Sequence, residues 1–158
     1  KCWMTHDGMW FFHCLQTFGI DTTNRINKSA IHTLAPIEIN RLKHLLEIDG
    51  KIETFAEFKL FFEEAAKLMV PDFMNVRFSF PEKNRMTWVF NQEKCFAYEG
   101  IKKLGAIDRY ECGVLYRISC WLEALEIENK FDPEIDRCNM HVNGKCAGEI
   151  HLFEGGGT

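Results

Sequence analysis

The hydrophobic period of the chain changes from helical to two-residue spacing between residues 74 and 90, and that change narrows the fold class most. Met74, Val76, Phe78 and Phe80 alternate with Asn75, Arg77 and Ser79. After Pro81-Glu82-Lys83-Asn84, Met86, Trp88 and Phe90 alternate with Arg85, Thr87 and Val89. This predicts an antiparallel hairpin with one apolar face, which helices should cover from a single side.

Three helical segments are expected before it. Residues 3–18 carry Trp3, Met4, Met9, Trp10, Phe11, Phe12, Leu15 and Phe18 on nearly all sides, which predicts burial on most sides, with Gly19 as the stop. The second helix should run over residues 22–46, with a kink or break near Leu34-Ala35 because Pro36 cannot donate to the helical ladder. Glu38 and Arg41, three apart, read as a surface pair. Thr54 and Glu57 have capping-box spacing and open a third helix with an aromatic face of Phe55, Phe58 and Phe62.

Two more helices should follow the hairpin. Asn91 is the expected cap of the first, which holds Cys95 and Phe96 and is closed by Gly105. Asp108 or Tyr110 opens the next, placing Cys112 in a first turn, where the helix dipole should lower a thiol pKa. Asn143-Gly144 is a strong two-residue turn signal, so residues 135–142 and 145–153 read as a second hairpin. A tight turn there would set His141 directly across from Cys146. The predicted order is ααα-ββ-αα-ββ: an α+β domain with helices on one face of a roughly four-stranded antiparallel sheet.

The 158 residues suit one domain, taken as 1–154, with 155–158 as a flexible tail or cloning remnant. A net charge of −4 argues against a nucleic-acid partner. No apolar run is long enough to span a bilayer, so no membrane partner is expected. The start lacks the pattern of a signal peptide, which gives a cytoplasmic reading. A small-molecule partner and a homodimer both stay open.

Seven cysteines, an odd number without compact spacing, are then expected as reduced thiols. Five lie between residues 95 and 146. Cys95, Cys112, Cys138, His141 and Cys146 form the candidate ligand group, and thiolate-rich ligation selects zinc or an iron–sulfur cluster. Buried reduced thiols are the competing explanation. Cys120, mid-helix, reads as a core residue, and Arg117 has no role beyond that of a charge partner. On the first helix His6, Asp7 and His13 are expected to line a pocket floored by Trp10, with His13 or Asp7 as a catalytic base if that helix crosses the site.

His6-Asp7-Gly8-Met9-Trp10-Phe11, Cys95, Tyr110-Glu111-Cys112, Cys138 and Cys146-Ala147-Gly148 together resemble an uncharacterised prokaryotic family known mainly from anaerobes. That family is similar in pattern to aminothiazoline-carboxylate hydrolase-like proteins. Cys95, Cys112 and Cys146 match its cysteine positions; Phe96 stands where it has a proline, and its Pro-rich segment is shortened here to residues 139–145. The resemblance implies a metal site, and hydrolysis of a small carboxylated substrate if one coordination position is open.

Two other functions compete. One is a non-enzymatic module enclosing a small apolar ligand among the fourteen phenylalanines. The other is nucleophilic chemistry at Cys112 with His141 as its base.

Overall fold

A computed structural model describes residues 2–91 and 94–153; the expected tail at 155–158 and the side chain of Trp3 lie outside the described residues. The elements in order are α1 (Cys2–Leu45), α2 (Phe55–Met69), β1 (Val76–Glu82), β2 (Arg85–Phe90), α3 (Phe96–Lys103), α4 (Gly113–Ala124), β3 (Asn129–Asp132), α5 (Asn139–Asn143) and β4 (Ala147–Leu152). The strands form one antiparallel sheet in the order β1-β2-β4-β3. The α+β class therefore holds.

The first hairpin forms as its alternation requires. Val76 pairs with Phe90 and Phe78 with Trp88. Met86, Trp88 and Phe90 are buried, while Arg77 and Ser79 face solvent. Helix α2 covers the apolar side: Phe62 meets Phe78 edge-on, and Phe58 meets Phe80 and Phe153. Its capping box closes as expected, with Glu57 N–H donating to Thr54 Oγ1 and Thr54 N–H donating to the Glu57 carboxylate.

Helix α1 keeps the expected stop at Gly19 and departs from expectation in two ways. It is interrupted only at Gly19, whose φ of 75° and ψ of 173° lie outside helical space. Pro36 sits within the second arm, and no residue around it leaves helical φ/ψ, so the expected break is absent. The first arm is not buried on most sides: Met9, Trp10 and Phe18 are each more than half exposed. A hydrophobic helix buries only the faces that neighbours can reach, and here Phe11 reaches Tyr110 while Trp10 faces outward.

The second hairpin is corrected more substantially. Its first strand is β3 at residues 129–132 and pairs with β4 through Asn129–Leu152 and Phe131–Ile150. Residues 139–143 are helical, and Gly144, at φ 72°, is the C-cap of α5 rather than half of a two-residue turn. Gly after Asn supplies a positive φ equally well to a hairpin turn and to a helix end. Here the N–H groups of His141 and Val142 both donate to the Cys138 carbonyl, which decides for the helix. His141 therefore does not lie across from Cys146.

The remaining helix starts also shift. Cys95, not Asn91, is the N-cap of α3, and Cys112 is the N-cap of α4. Glu38 does not pair with Arg41 on the surface; it is buried and takes the Arg117 guanidinium and the Trp121 indole N–H.

Candidate metal centre

Four cysteines reach one buried region from four separate segments. Cys95 arrives on the connection leaving β2 and begins α3. Cys112 begins α4, and Cys138 begins α5. An isolated antiparallel bridge between Glu111 and Arg137 ties the chain just before Cys112 to the chain just before Cys138. Cys146 precedes β4, where its carbonyl accepts from Phe90 N–H at 2.9 Å and so extends the β2–β4 ladder by one step. All four are free thiols, each no more than 6% exposed.

The thiols sense one another. Burial raises the Cys95 pKa first, and Cys138 and Glu99 add repulsion. Burial likewise pushes Cys112 up to about 11, with Cys95 and Cys138 adding to the rise. Cys146 is pushed up to about 12 by burial and then by Cys112, Cys95 and Cys138. Cys138 is raised by burial. The opposing influence is local. N–H groups of Ala97 and Tyr98 favour the Cys95 thiolate, those of Val114 and Leu115 the Cys112 thiolate, and those of Met140 and His141 the Cys138 thiolate. None of the three sulfurs closes a full capping hydrogen bond. The expected lowering of the Cys112 pKa by its helix is present but outweighed, because desolvating a thiolate costs more than two partly aligned N–H groups return.

The walls of this region are aromatic and tightly fitted. Tyr110 is buried, and its hydroxyl accepts from Gly113 N–H at 3.1 Å. The Tyr110 pKa is raised, first by burial and next by Cys112. Trp88 is buried on the face that Cys146 shares, and its indole N–H favours the Cys146 thiolate. That N–H, which reaches only toward the Cys146 sulfur, and the Asn139 amide N–H are buried and close no hydrogen bond of full geometry among the described residues. Gly113, beside Cys112, and Gly148, two residues after Cys146, permit close approach. A Cβ on Gly113 would press on Asn27 and Ile31, and one on Gly148 would strike the Trp88 ring and the Asp132 carbonyl.

The other sequence candidates sit elsewhere. His141 Nε2 is 3.0 Å from Asp108 Oδ1 in an exposed pair. His13 is exposed on α1 with its ring edge-on to Phe12. Asp7 lies beside His6 and raises the Arg117 pKa through its charge. Trp10 is 63% exposed and donates to His6 Nε2, so it floors no enclosed pocket. Cys120 is buried mid-helix beside Tyr116, as a core residue would be. Sequence reasoning overlooked Trp88 and Asn139. The Trp88 signal was available, since an indole on the sheet's buried face needs a partner for its N–H.

Among the described residues, no three His, Cys, Asp or Glu groups are drawn together as a ready-made site for a metal ion. No helix among them is long and apolar enough to cross a membrane. A family model described as a family of unknown function, DUF6125, matches residues 1–145. No curated protein and no solved structure matches the chain.

Proposed function

This chain belongs to that family of unknown function, and we propose that it holds a thiolate-ligated metal centre through Cys95, Cys112, Cys138 and Cys146. One observation carries the reading: four buried thiols from four segments lie within one another's electrostatic reach, with backbone N–H groups set to stabilise three of them as thiolates. As thiolates they need a cation, because four negative sulfurs in one dry region repel strongly.

The donor set fits zinc or an iron–sulfur cluster, both of which accept four cysteine thiolates. The sulfurs do not form a ready-made site for one ion. Loading therefore requires either that they close on a single ion or that the centre be wide enough to meet them. A zinc ion would need all four sulfurs at about 2.3 Å; a four-iron cluster would bind each cysteine to a separate iron.

A four-cysteine centre leaves no open coordination position, which supports a structural or electron-carrying role. Hydrolysis of a small carboxylated substrate, as in the hydrolase-like proteins the sequence resembles, would require one cysteine to stand aside. A cytoplasmic, reducing environment would keep the thiols available for metal.

Metal and acid-labile sulfide should be measured on protein purified without oxygen, with Cys112→Ser and Cys146→Ser alongside. The proposal expects about one centre per chain, lost in both variants. Stably folded protein with neither metal nor sulfide would overturn it.

A further inference from the structure

The second arm of α1 carries an apolar stripe on the side turned away from the core. Ile26, Ala30, Thr33 and Ile37 recur at steps of four, three and four, the seam spacing of paired helices. Ile26 is 42%, Leu34 40% and Ile37 46% exposed, while Ala35, Ile39 and Leu42 are buried on the opposite side. With Ser29 and Leu34 the stripe lines one open groove, and every residue lining that groove belongs to α1. Residues 26–37 hold two ionisable side chains, Lys28 and His32, and both are engaged away from the stripe, with Glu111 and with Glu123 of α4. The Thr33 hydroxyl donates to the Ser29 carbonyl at 3.0 Å, so its proton is satisfied within the helix. An uncharged centre with Arg25 and Arg41 beyond its two ends has the make-up of an interface core and rim.

We infer that this face docks a second copy of the chain, the two α1 arms lying antiparallel about a two-fold axis near residues 31 and 32. The stripe is its own complement in that register. Ile26 of one copy faces Ile37 of the other, and the small residues Ala30 and Thr33 meet where the backbones come closest. Arg41 comes level with Thr22 and the exposed Asp21 of the other copy. A parallel pairing would instead set Arg25 against Arg25 and Arg41 against Arg41, which like charges disfavour. From Thr22 to Arg41 the arm is about 30 Å long. An antiparallel contact of that length and about 10 Å breadth buries on the order of 1,000 Å² in total, the lower end of a specific interface. The dimer should therefore dissociate in the micromolar range. The inference stands independently of the cysteines.

Sedimentation velocity of the whole reduced protein, from about 1 to about 200 µM, tests this. Ala30→Glu puts two unpaired carboxylates at the centre of the contact, and Leu60→Glu adds the same charge at an exposed leucine on α2. Circular dichroism checks that each variant folds. The wild type should dimerise as its concentration rises. Ala30→Glu should weaken the dimer about 100-fold or more, and Leu60→Glu should leave it unchanged. Ile26→Lys and Ile37→Glu should each weaken it, and the double variant should recover it, because antiparallel pairing sets each lysine against a glutamate of the other copy. Wild-type protein that stays monomeric, a dimer that survives Ala30→Glu, or one lost equally in Leu60→Glu overturns the inference. A double variant no tighter than the single variants overturns the antiparallel arrangement.

Discussion

Glu38 and Arg117, 79 residues apart, close an ion pair that fastens the second arm of α1 to α4, and the Trp121 indole N–H joins it at 2.8 Å from the same carboxylate. The Arg117 pKa is lowered, first by desolvation, with Asp7 on the first arm of α1 opposing that shift. The pair thereby ties the second arm of α1 to the helix that Cys112 caps.

Glu38→Ala leaves the guanidinium and an indole N–H without their acceptor. Removing one member of a fully buried pair costs about 3–5 kcal/mol. Because the Arg117 side chain is 39% exposed and water can rescue it, about 2 kcal/mol is expected here. Urea denaturation measures this, and a loss below about 0.5 kcal/mol would mean that the pair is not holding α1 in place.

Gly148→Ala should be more damaging than its size suggests. The added methyl meets the Trp88 ring on one side and the Asp132 carbonyl on the other, so β2, β3 and β4 must all shift. Overpacking of this kind costs about 1–3 kcal/mol. The thermal midpoint should fall, and metal retention should fall with it because Cys146 is two residues away. Gly148→Ala with wild-type stability and metal content would show that the sheet has more slack there than its geometry implies.

The histidine candidates separate cleanly from the cysteines. His141 is held by exposed Asp108, so His141→Ala should cost less than about 1 kcal/mol and leave metal content unchanged. His13→Ala and Asp7→Ala should also leave it unchanged. Loss of metal in His141→Ala would restore that imidazole to the ligand set.

The thiol pKa values set the behaviour of protein stripped of metal. Cys112, at about 11, and Cys146, at about 12, lie above the ordinary thiol value of 9.0. A group whose pKa is raised by folding favours the folded state below its unfolded pKa, and that contribution is lost as pH rises through the folded one. Stripped protein should accordingly lose stability between about pH 9 and 12. At pH 8 iodoacetamide should modify exposed Cys2 well before Cys112. Rapid, selective labelling of Cys112 would instead favour its use as a nucleophile.

The sequence revealed most where the signal was local. Alternation at residues 74–90 and the Thr54–Glu57 box are decided by neighbouring residues, and both appear as read. The cysteines were legible as candidates from residue type, but that His141 sits apart, in an exposed pair with Asp108, was not. Asn143-Gly144 misled because one backbone conformation serves two structures, and misplacing the strand brought His141 to the wrong side. The Glu38–Arg117 pair and the exposure of Trp10 depend on how α1 meets α4, which no short-range pattern encodes. The N–H groups around the thiols were hidden for a related reason: the helix starts had been placed on Asn91 and on Asp108 or Tyr110, when cysteines occupy the caps.

X-ray absorption at the metal edge of anaerobically purified protein tests the four-cysteine centre most directly, because it counts the ligands by element. The account predicts a first shell made only of sulfur: four cysteine sulfurs about one zinc, or cysteine and sulfide sulfurs about iron. A shell containing nitrogen or oxygen in place of any cysteine, or no bound metal at all, would contradict it.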